Sequence, residues 1–249
     1  MLTKAFDKYT SKFDMNNRIT QLKYNHSYRV SYVANYIASK MGLSPTGVEL
    51  ATAIGLIHDI GRFEQVEKYN TLSDIGTMDH GDFGAYLLFD KGLIEEFGIE
   101  GNYDVIKLCV KNHNKYSINE ENLTCKDLFH LRLIRDVDKI DIFNIWANLD
   151  EIDFKSDGEV SEEVKDEFYS HQMIHNEIKK TNADALVGTL SYIFNINFSE
   201  SVDYILKQDF ISRMFDRVDD NDKEKLKEIF EYAENYLKKD VKGAKKYVR

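Results

Sequence analysis

Residues 54–61 read IGLIHDIG, and this stretch decides the fold class that the sequence predicts. The residues around it are apolar nearly all the way round a helix, which is typical of a helix at the centre of a domain. His58 and Asp59 would be costly to bury there without partners, so we expect them to be paired, hydrogen-bonded or bound to a metal ion. We expect Gly61 to end this helix and to leave the site near an edge that a substrate can reach.

Composition favours an all-α protein. The 249-residue chain is 43% hydrophobic and 12% aromatic, which is enough for a sizeable core. One proline and 13 glycines interrupt it, and long stretches show helical spacing without the alternation of strands. Because no membrane-length apolar run and no signal-peptide pattern is present, we expect a soluble, unexported protein. Cys109 and Cys125 lack CxxC spacing, which favours the cytoplasm.

The charge of the chain limits its partners. A net charge of −10 opposes binding to a nucleic-acid backbone. A small anion remains a suitable ligand if metal ions and a few basic side chains reverse the local field. We therefore expect a small substrate, with no nucleic-acid polymer and no membrane as partner, and the oligomeric state stays open.

Capping residues and helical spacing divide the chain into predicted elements. Ser44 with Pro45 has the residue types of an N-cap and a first turn, and Asp79 is a second candidate cap, with His80 in the first turn after it. Loops are predicted at 62–78 and 114–123, and a solvated basic tail at 238–249. In addition to the helix that leads from Pro45 to His58, the predicted helices cover residues 2–14, 20–41, 79–90, 102–113, 124–149, 161–180, 183–196, 199–217 and 222–239.

Six imidazole or carboxylate side chains lie on or beside the apolar faces of these helices. A single inward-facing histidine is more often a hydrogen-bonded core residue than a ligand. Six such positions together favour a metal centre, and their donor set, which has no thiolate, suits Mn, Fe, Zn or Ni. The candidate ligands are His26, His58, Asp59, His80, His113 and Asp138.

The order of these residues resembles the HD-domain metal-dependent phosphohydrolase superfamily. HDIG after an apolar helix is one of its known signatures; here His26 precedes it and Asp138 follows within RDVDKIDIF. The resemblance covers roughly residues 20–150. It implies a single all-α, HD-type helical bundle over residues 1–249, in which the helices of 160–240 pack on the metal-binding core.

The same resemblance implies a ligand set and a reaction. The first ion would be held by His26, His58, Asp59 and Asp138. Asp59 would bridge to a second ion, held also by His80 and His113. The cofactors would be one or two divalent ions per chain, chosen from Mn, Fe, Ni, Zn and Mg. The implied reaction is hydrolysis of a phosphate ester or anhydride of a small soluble substrate, with a nucleotide as the expected class, by metal-activated water.

Such an enzyme also needs cations for the phosphate and a means of protonating the leaving group. Arg29 and Arg62, each a few residues from a ligand, are candidates for a phosphate clamp, because a guanidinium can bind phosphate through two hydrogen bonds. Lys115, close after His113, joins them and Asp59 as a catalytic candidate. For each of the three cations the alternative is an ordinary surface side chain.

A second histidine pair stands outside this set. His171 and His175 are four residues apart on the predicted helix 161–180, and such a pair can bind a metal. No third ligand accompanies them, so ordinary packing is the favoured interpretation.

Three classes of function remain open at this stage. A phosphohydrolase is the leading one. A dinuclear iron oxygenase of the same fold shares the six-ligand set and is the alternative, and a ligand-sensing module with a vestigial site is the third. The chain lacks the Gly-Tyr-Pro motif of the cyclic-dinucleotide branch, so that activity is not expected.

Overall fold

The structure is a computed structural model that describes residues 2–148 and 156–243. Every regular element in these two ranges is helical and none is a strand, which confirms the all-α prediction. The chain divides into two compact units, Met1–Asp138 and Lys139–Arg249, and the boundary falls inside a long helix. The prediction that the C-terminal helices pack on the metal-binding core stays a prediction.

The first unit is built from short helices and two long ones. Its two predicted caps are confirmed, since the Ser44 hydroxyl accepts from the Gly47 N–H and the Asp79 carboxylate accepts from the Asp82 N–H. A π-helical turn, Tyr86–Asp90, extends one helix. The helices are α1 (Leu2–Thr10), α2 (Arg18–Lys40), α3 (Pro45–Ile57), α4 (Gly61–Tyr69), α5 (His80–Ala85), α6 (Leu93–Glu96), α7 (Tyr103–Asn112) and the first part of α8 (Cys125–Ala147).

Helices α2 and α3 form the centre of this unit. Every residue from Ala53 to Ile60 is buried, as the apolar character of this stretch predicted. The two helices cross closely at Gly55, where a Cβ would lie only 2.9 Å from the Cα of Ser31. Only a glycine permits this approach. The end of α3, with its two polar residues, is therefore held inside the unit.

The structure corrects two predictions around Gly61. This glycine does not end a helix: α3 ends at Ile57, and after a short turn Gly61 begins α4. Residues 61–69, which were predicted as part of a loop, are helical because Phe63 and Val66 form a buried apolar face. A Cβ at Gly61 would overlap the carbonyl oxygen of His80, so α4 and α5 touch at this point.

The second unit is also helical in the residues that are described. Its 3-10 turns are Asn176–Ile178 and Ser191–Asn195. Its helices are the rest of α8, α9 (Glu162–Tyr169), α10 (Asn182–Leu190), α11 (Ser199–Lys207), α12 (Phe210–Asp216) and α13 (Asp220–Gly243).

Three predicted boundaries in this unit are wrong. The helix predicted over 161–180 ends at Tyr169, and the helix predicted over 199–217 is broken at Asp209, whose φ of 54° is left-handed. Residues 238–243, predicted to belong to a tail, continue α13, whereas the rest of the predicted tail lies outside the described residues. The predicted helix end at 149 also lies outside them.

Among the helices of residues 2–148 and 156–243, none has both the length and the apolar character that a bilayer crossing requires.

Candidate metal centre

The structure brings all six predicted ligands together within the first unit. His26 lies within α2, His58 and Asp59 follow α3, His80 begins α5, His113 follows α7, and Asp138 lies on α8. Their ligand atoms form three overlapping groups in which all atoms lie within 4.8 Å of one another. Whether they bind an ion, and how many, stays a prediction.

Four of these side chains form the first half of the cluster. His26 Nε2 lies 3.2 Å from His58 Nε2 and 3.4 Å from Asp59 Oδ2. It also lies 3.2 Å from Asp138 Oδ1. His58 Nε2 is 3.7 Å from the same two carboxylate oxygens. Two imidazoles and two carboxylates therefore converge on one point.

The second half of the cluster uses the other oxygen of Asp59. Asp59 Oδ1 lies 3.3 Å from His80 Nε2 and 3.3 Å from His113 Nε2. The two Nε2 atoms are 3.0 Å apart. Each oxygen of Asp59 thus faces a different pair of histidines, which is the arrangement of a bridging carboxylate.

The tautomers of three histidines follow from their Nδ1 partners. His58 Nδ1 lies 2.8 Å from the Gly55 carbonyl oxygen, and His113 Nδ1 lies 2.8 Å from the Val110 carbonyl oxygen. His80 Nδ1 lies 2.7 Å from a carboxylate oxygen of Asp74. Because these oxygens only accept, each Nδ1 carries a proton that it donates.

Neutral imidazoles of this tautomer direct bare Nε2 lone pairs into the cluster. Burial lowers the pKa of His80 to about 4 and also lowers the pKa of His113, so both rings are neutral near pH 7. Two bare lone pairs 3.0 Å apart cannot hydrogen-bond to each other. A cation between them and Asp59 Oδ1 would satisfy all three atoms.

The spacing of the ligand atoms also fits a metal ion. Ligands about 2.1 Å from one ion, at the angles of tetrahedral or octahedral coordination, lie about 3.0–3.4 Å apart. The separations within the two halves run from 3.0 to 3.7 Å. Imidazole nitrogen and carboxylate oxygen are donors that Mn, Fe, Ni and Zn accept, and Mg is bound through carboxylates and water.

Lys23 is a cation at the centre that the sequence analysis missed. Its Nζ lies 2.7 Å from Asp59 Oδ2. Burial opposes ionisation of Asp59, but Lys23 and the imidazoles hold the pKa of this carboxyl well below its usual range. A signal existed in the sequence, because Lys23 precedes His26 by three residues and therefore shares its helix face.

Three side chains at the cluster are partly exposed to solvent. The Asp138 side chain is 18% exposed, whereas those of the other five ligands are at most 4% exposed. Lys23 and Arg62 are 14% and 12% exposed. Solvent therefore reaches each of these three side chains.

The predicted catalytic residue Arg62 forms hydrogen bonds within α4 and to the loop that follows this helix. Its Nη1 donates to Gln65 Oε1 at 2.6 Å, to the Leu72 carbonyl at 2.6 Å and to Asp74 Oδ1 at 2.8 Å. Its Nε lies 3.8 Å from Asp59 Oδ1. The side chain is thus near the cluster, and its role as a phosphate clamp stays a prediction.

The other two predicted cations lie in different surroundings. Lys115 Nζ is 2.5 Å from Asp79 Oδ2 and 3.0 Å from Asp82 Oδ2, so it connects the end of α7 to the start of α5. Arg29 is half-buried, three residues after His26 on α2. Their catalytic roles are not tested by these positions.

Two positioning residues were also missed. Asp74 holds His80, as described above, and no local pattern marks it in the loop that follows α4. Arg135 is buried on α8 and donates to the carbonyl oxygens of His113 at 3.0 Å and Lys115 at 2.5 Å. It thereby neutralises the carbonyl end of α7 and fixes the backbone of a ligand.

The second histidine pair does not form the predicted helix face. His171 lies beyond the end of α9 with a left-handed φ of 59° and contacts the Tyr232 hydroxyl at 2.7 Å. His175 Nδ1 donates to Glu167 at 2.9 Å. The predicted helix over 161–180 ends at Tyr169, before either histidine, so the two do not share a helix face.

Comparison with known proteins gave one finding. Residues 24–143 match the family model described as HD domain. Neither a curated protein nor a solved structure matches the chain. The matched range contains all six candidate ligands of the cluster, most of α2 and all of α3.

Proposed function

From the premise that residues 24–143 form an HD domain of the metal-dependent hydrolase superfamily, we propose that this chain is a phosphohydrolase. Its substrate is a phosphate ester or anhydride of a small molecule, with a nucleotide as the favoured class. The observation that carries this proposal is the Asp59 carboxylate, whose two oxygens face two separate histidine pairs. Such a bridge suits two adjacent divalent ions, which is a common arrangement for phosphoester cleavage.

The ligand groups divide between two ions. The first would be held by His26, His58, Asp59 and Asp138, and the second by Asp59, His80 and His113. When bound, Mn, Fe, Ni, Zn or Mg supplies Lewis acidity, which polarises phosphoryl oxygens and acidifies water. The second group has one protein ligand fewer than the first, which leaves more positions for substrate or water.

Lys23 is the residue that we assign to the substrate's phosphate. Its side chain is partly exposed, and its ammonium lies 2.7 Å from Asp59 Oδ2. Once the negative charge of Asp59 is shared with ions, this ammonium is available for a phosphoryl oxygen. Arg29 and Arg62 remain proposed clamp residues, and Lys115 remains a proposed catalytic residue. Activity assays of variants at these positions can test each role.

The acidic chain supports a compact substrate. A net charge of −10 repels a polyanion, whereas two divalent ions and Lys23 make the centre locally positive. Small phosphorylated molecules are therefore the proposed partners, without nucleic-acid polymer or membrane. We propose the cytoplasm as the compartment because both cysteines are free thiols.

Anaerobic turnover tests this function directly. We expect protein loaded with Mn²⁺ to release phosphate or a nucleotide from at least one member of a panel of phosphomonoesters, diesters and anhydrides without O₂. Asp59→Ala should abolish turnover, because it removes the ligand shared by both groups. Activity that needs iron and O₂, with no phosphate released, would instead support the dinuclear iron oxygenase, a second candidate that the same donor set of four imidazoles and two carboxylates allows.

Lys23→Met tests the assigned phosphate contact. A hydrogen bond to a charged group contributes about 1.5–3 kcal/mol, so we expect kcat/KM to fall roughly 10- to 100-fold. The same loss of positive charge should strengthen binding of Mn²⁺, measured by calorimetry. Lys12→Met, which removes a lysine that lies over the Tyr9 ring, is the control. Unchanged kcat/KM in Lys23→Met would remove this residue from the substrate site.

A further inference from the structure

The three histidines whose Nδ1 partners are described are not supported in the same way. His58 and His113 each donate to a backbone carbonyl three residues earlier, so their own helices orient them. His80 instead donates to Asp74, six residues earlier in a loop, at 2.7 Å. A carboxylate partner raises the basicity of an imidazole more than a carbonyl does. The orientation of His80 therefore depends on how firmly Asp74 is held.

Asp74 is held by two side chains of α4. Its Oδ1 accepts from Arg62 Nη1 at 2.8 Å and from Gln65 Nε2 at 3.0 Å. Arg62 and Gln65 also bond to each other at 2.6 Å. Burial opposes ionisation of Asp74, but His80 and Arg62 hold the pKa of its carboxyl below the usual range. The group is thus a fixed anion behind His80.

Gln65 fixes the rest of the loop. Its side chain is fully buried, and its amide also lies within hydrogen-bonding distance of Thr77 Oγ1 at 3.0 Å and of the Met78 carbonyl at 3.1 Å. Arg62 also donates a hydrogen bond to the Leu72 carbonyl oxygen of this loop. One helix therefore holds both ends of the loop that carries Asp74.

Arg62 also faces the second half of the cluster directly. Its Nε is buried and finds no hydrogen-bond acceptor among the described residues. The Asp59 oxygen that pairs with His80 and His113 lies 3.8 Å away. The guanidinium thus lies between Asp74 and Asp59 Oδ1, and both of these anions serve the second group of ligands.

We propose that Asp74, fixed by Arg62 and Gln65, is a positioning residue that sets the affinity of the second ion and leaves the first unchanged. The proposal rests on the dinuclear centre of the proposed function. His26 and His58 of the first group face Asp59 Oδ2, whereas Arg62 lies near the other oxygen of this carboxylate, Oδ1. Weakening this support therefore converts a dinuclear centre into a mononuclear one.

Mn²⁺ titration of metal-free full-length protein tests the proposal. For Asp74→Asn we expect about 10- to 100-fold weaker binding of one ion, and no change in the other. Electron paramagnetic resonance should then show the spectrum of an isolated Mn²⁺ at concentrations where the wild type shows a coupled pair. Asp82→Asn is the matched control, because it removes a nearby carboxylate that pairs with lysines and does not contact His80.

The outcomes separate this inference from the proposed function. A wild type that binds one ion or none contradicts the dinuclear centre itself. Two ions bound by Asp74→Asn with wild-type affinities and a coupled spectrum overturn the role of Asp74 and leave the function standing. If Asp74→Asn does not fold, as judged by circular dichroism, Arg62→Lys replaces it. Lysine keeps the charge but cannot reach all three acceptors of Arg62, so second-ion affinity should still fall, and an unchanged affinity overturns the proposal.

Discussion

Protonation at single nitrogen atoms decides what this cluster can hold. His58, His80 and His113 each donate a hydrogen bond from Nδ1 to an oxygen outside the cluster, so their Nε2 lone pairs point inward. Asp59 and Asp138 add two carboxylates, and Lys23 supplies one positive charge. The cluster therefore already has the donor arrangement that the proposed cation site requires.

A different histidine shows what burial does without such partners. His130 lies on α8 with 5% exposure, and its Nδ1 has no hydrogen-bond partner among the described residues. The side chains around it on α2, α3 and α8 are apolar, and the nearby charges are Lys126 and Asp127 on its own helix. Burial, assisted by Lys126, lowers its pKa from 6.5 to about 4.

We expect His130→Phe to reduce the loss of stability in acid. Between pH 6.5 and pH 4 the unfolded chain binds a proton at His130 that the folded chain excludes, so the free energy of unfolding falls as the pH falls. At pH 5 this contribution is about 2 kcal/mol. Urea unfolding at pH 7.5 and pH 5, with chelator present, should show a smaller difference in the variant by about this amount. Equal differences in the two proteins would contradict the assignment.

Contacts between helices fix the positions of the candidate ligands. The end of α3 is fixed because α2 approaches it at Gly55, and the start of α5 is fixed because α4 approaches it at Gly61. Arg135 of α8 binds the carbonyl end of α7. His58, Asp59, His80 and His113 thus lie where a helix end meets a neighbouring element, so backbone contacts as well as side chains define the site.

Gly61→Ala should disturb the contact between α4 and α5. The new Cβ would overlap the His80 carbonyl oxygen and lie 2.8 Å from the Gly84 nitrogen, neither of which can move without shifting a ligand. We expect a loss of about 1–3 kcal/mol in the free energy of unfolding without metal, measured in urea. Binding of the second ion should weaken more than binding of the first.

Gly47→Ala is the matched control for this variant. On α3 its Cβ would meet neighbours only at 3.4 Å, and alanine favours a helix by about 0.5–1 kcal/mol over glycine. The control should therefore be as stable as the wild type or slightly more stable. If Gly61→Ala behaves like this control, the close approach does not constrain His80.

At the scale of the whole molecule, the candidate chemistry belongs to one unit. All six ligands, Lys23 and the supporting residues Arg62, Asp74 and Arg135 fall within Met1–Asp138. The HD-domain match ends at residue 143, a few residues past that boundary and still within α8. The second unit contains none of these residues. The single-domain prediction for residues 1–249 stays a prediction.

The sequence by itself determined the helical class, the central apolar helix and the identity of the six side chains that form the cluster. These features are local or ordered along the chain: helical spacing, two capping residues, and imidazoles and carboxylates on apolar faces. His26, for example, is recognisable because it lies in the middle of an apolar stripe. The same reasoning failed for residues 61–69 and beyond Tyr169, where few residues form each apolar face.

The family resemblance implied that Asp59 would face both groups of candidate ligands, but only the tertiary structure decided how these side chains come together and what supports them. The two oxygens of Asp59 face different histidines because four helices and a turn pack together there. The spacing of residues along the chain does not predict this packing. Asp74 and Arg135 form hydrogen bonds to His80 and His113, which lie on other elements. Gly61 permits the close approach of α4 to the backbone of His80. These contacts join distant parts of the chain, so their geometry depends on packing, whereas sequence patterns report mainly the local preferences of each segment.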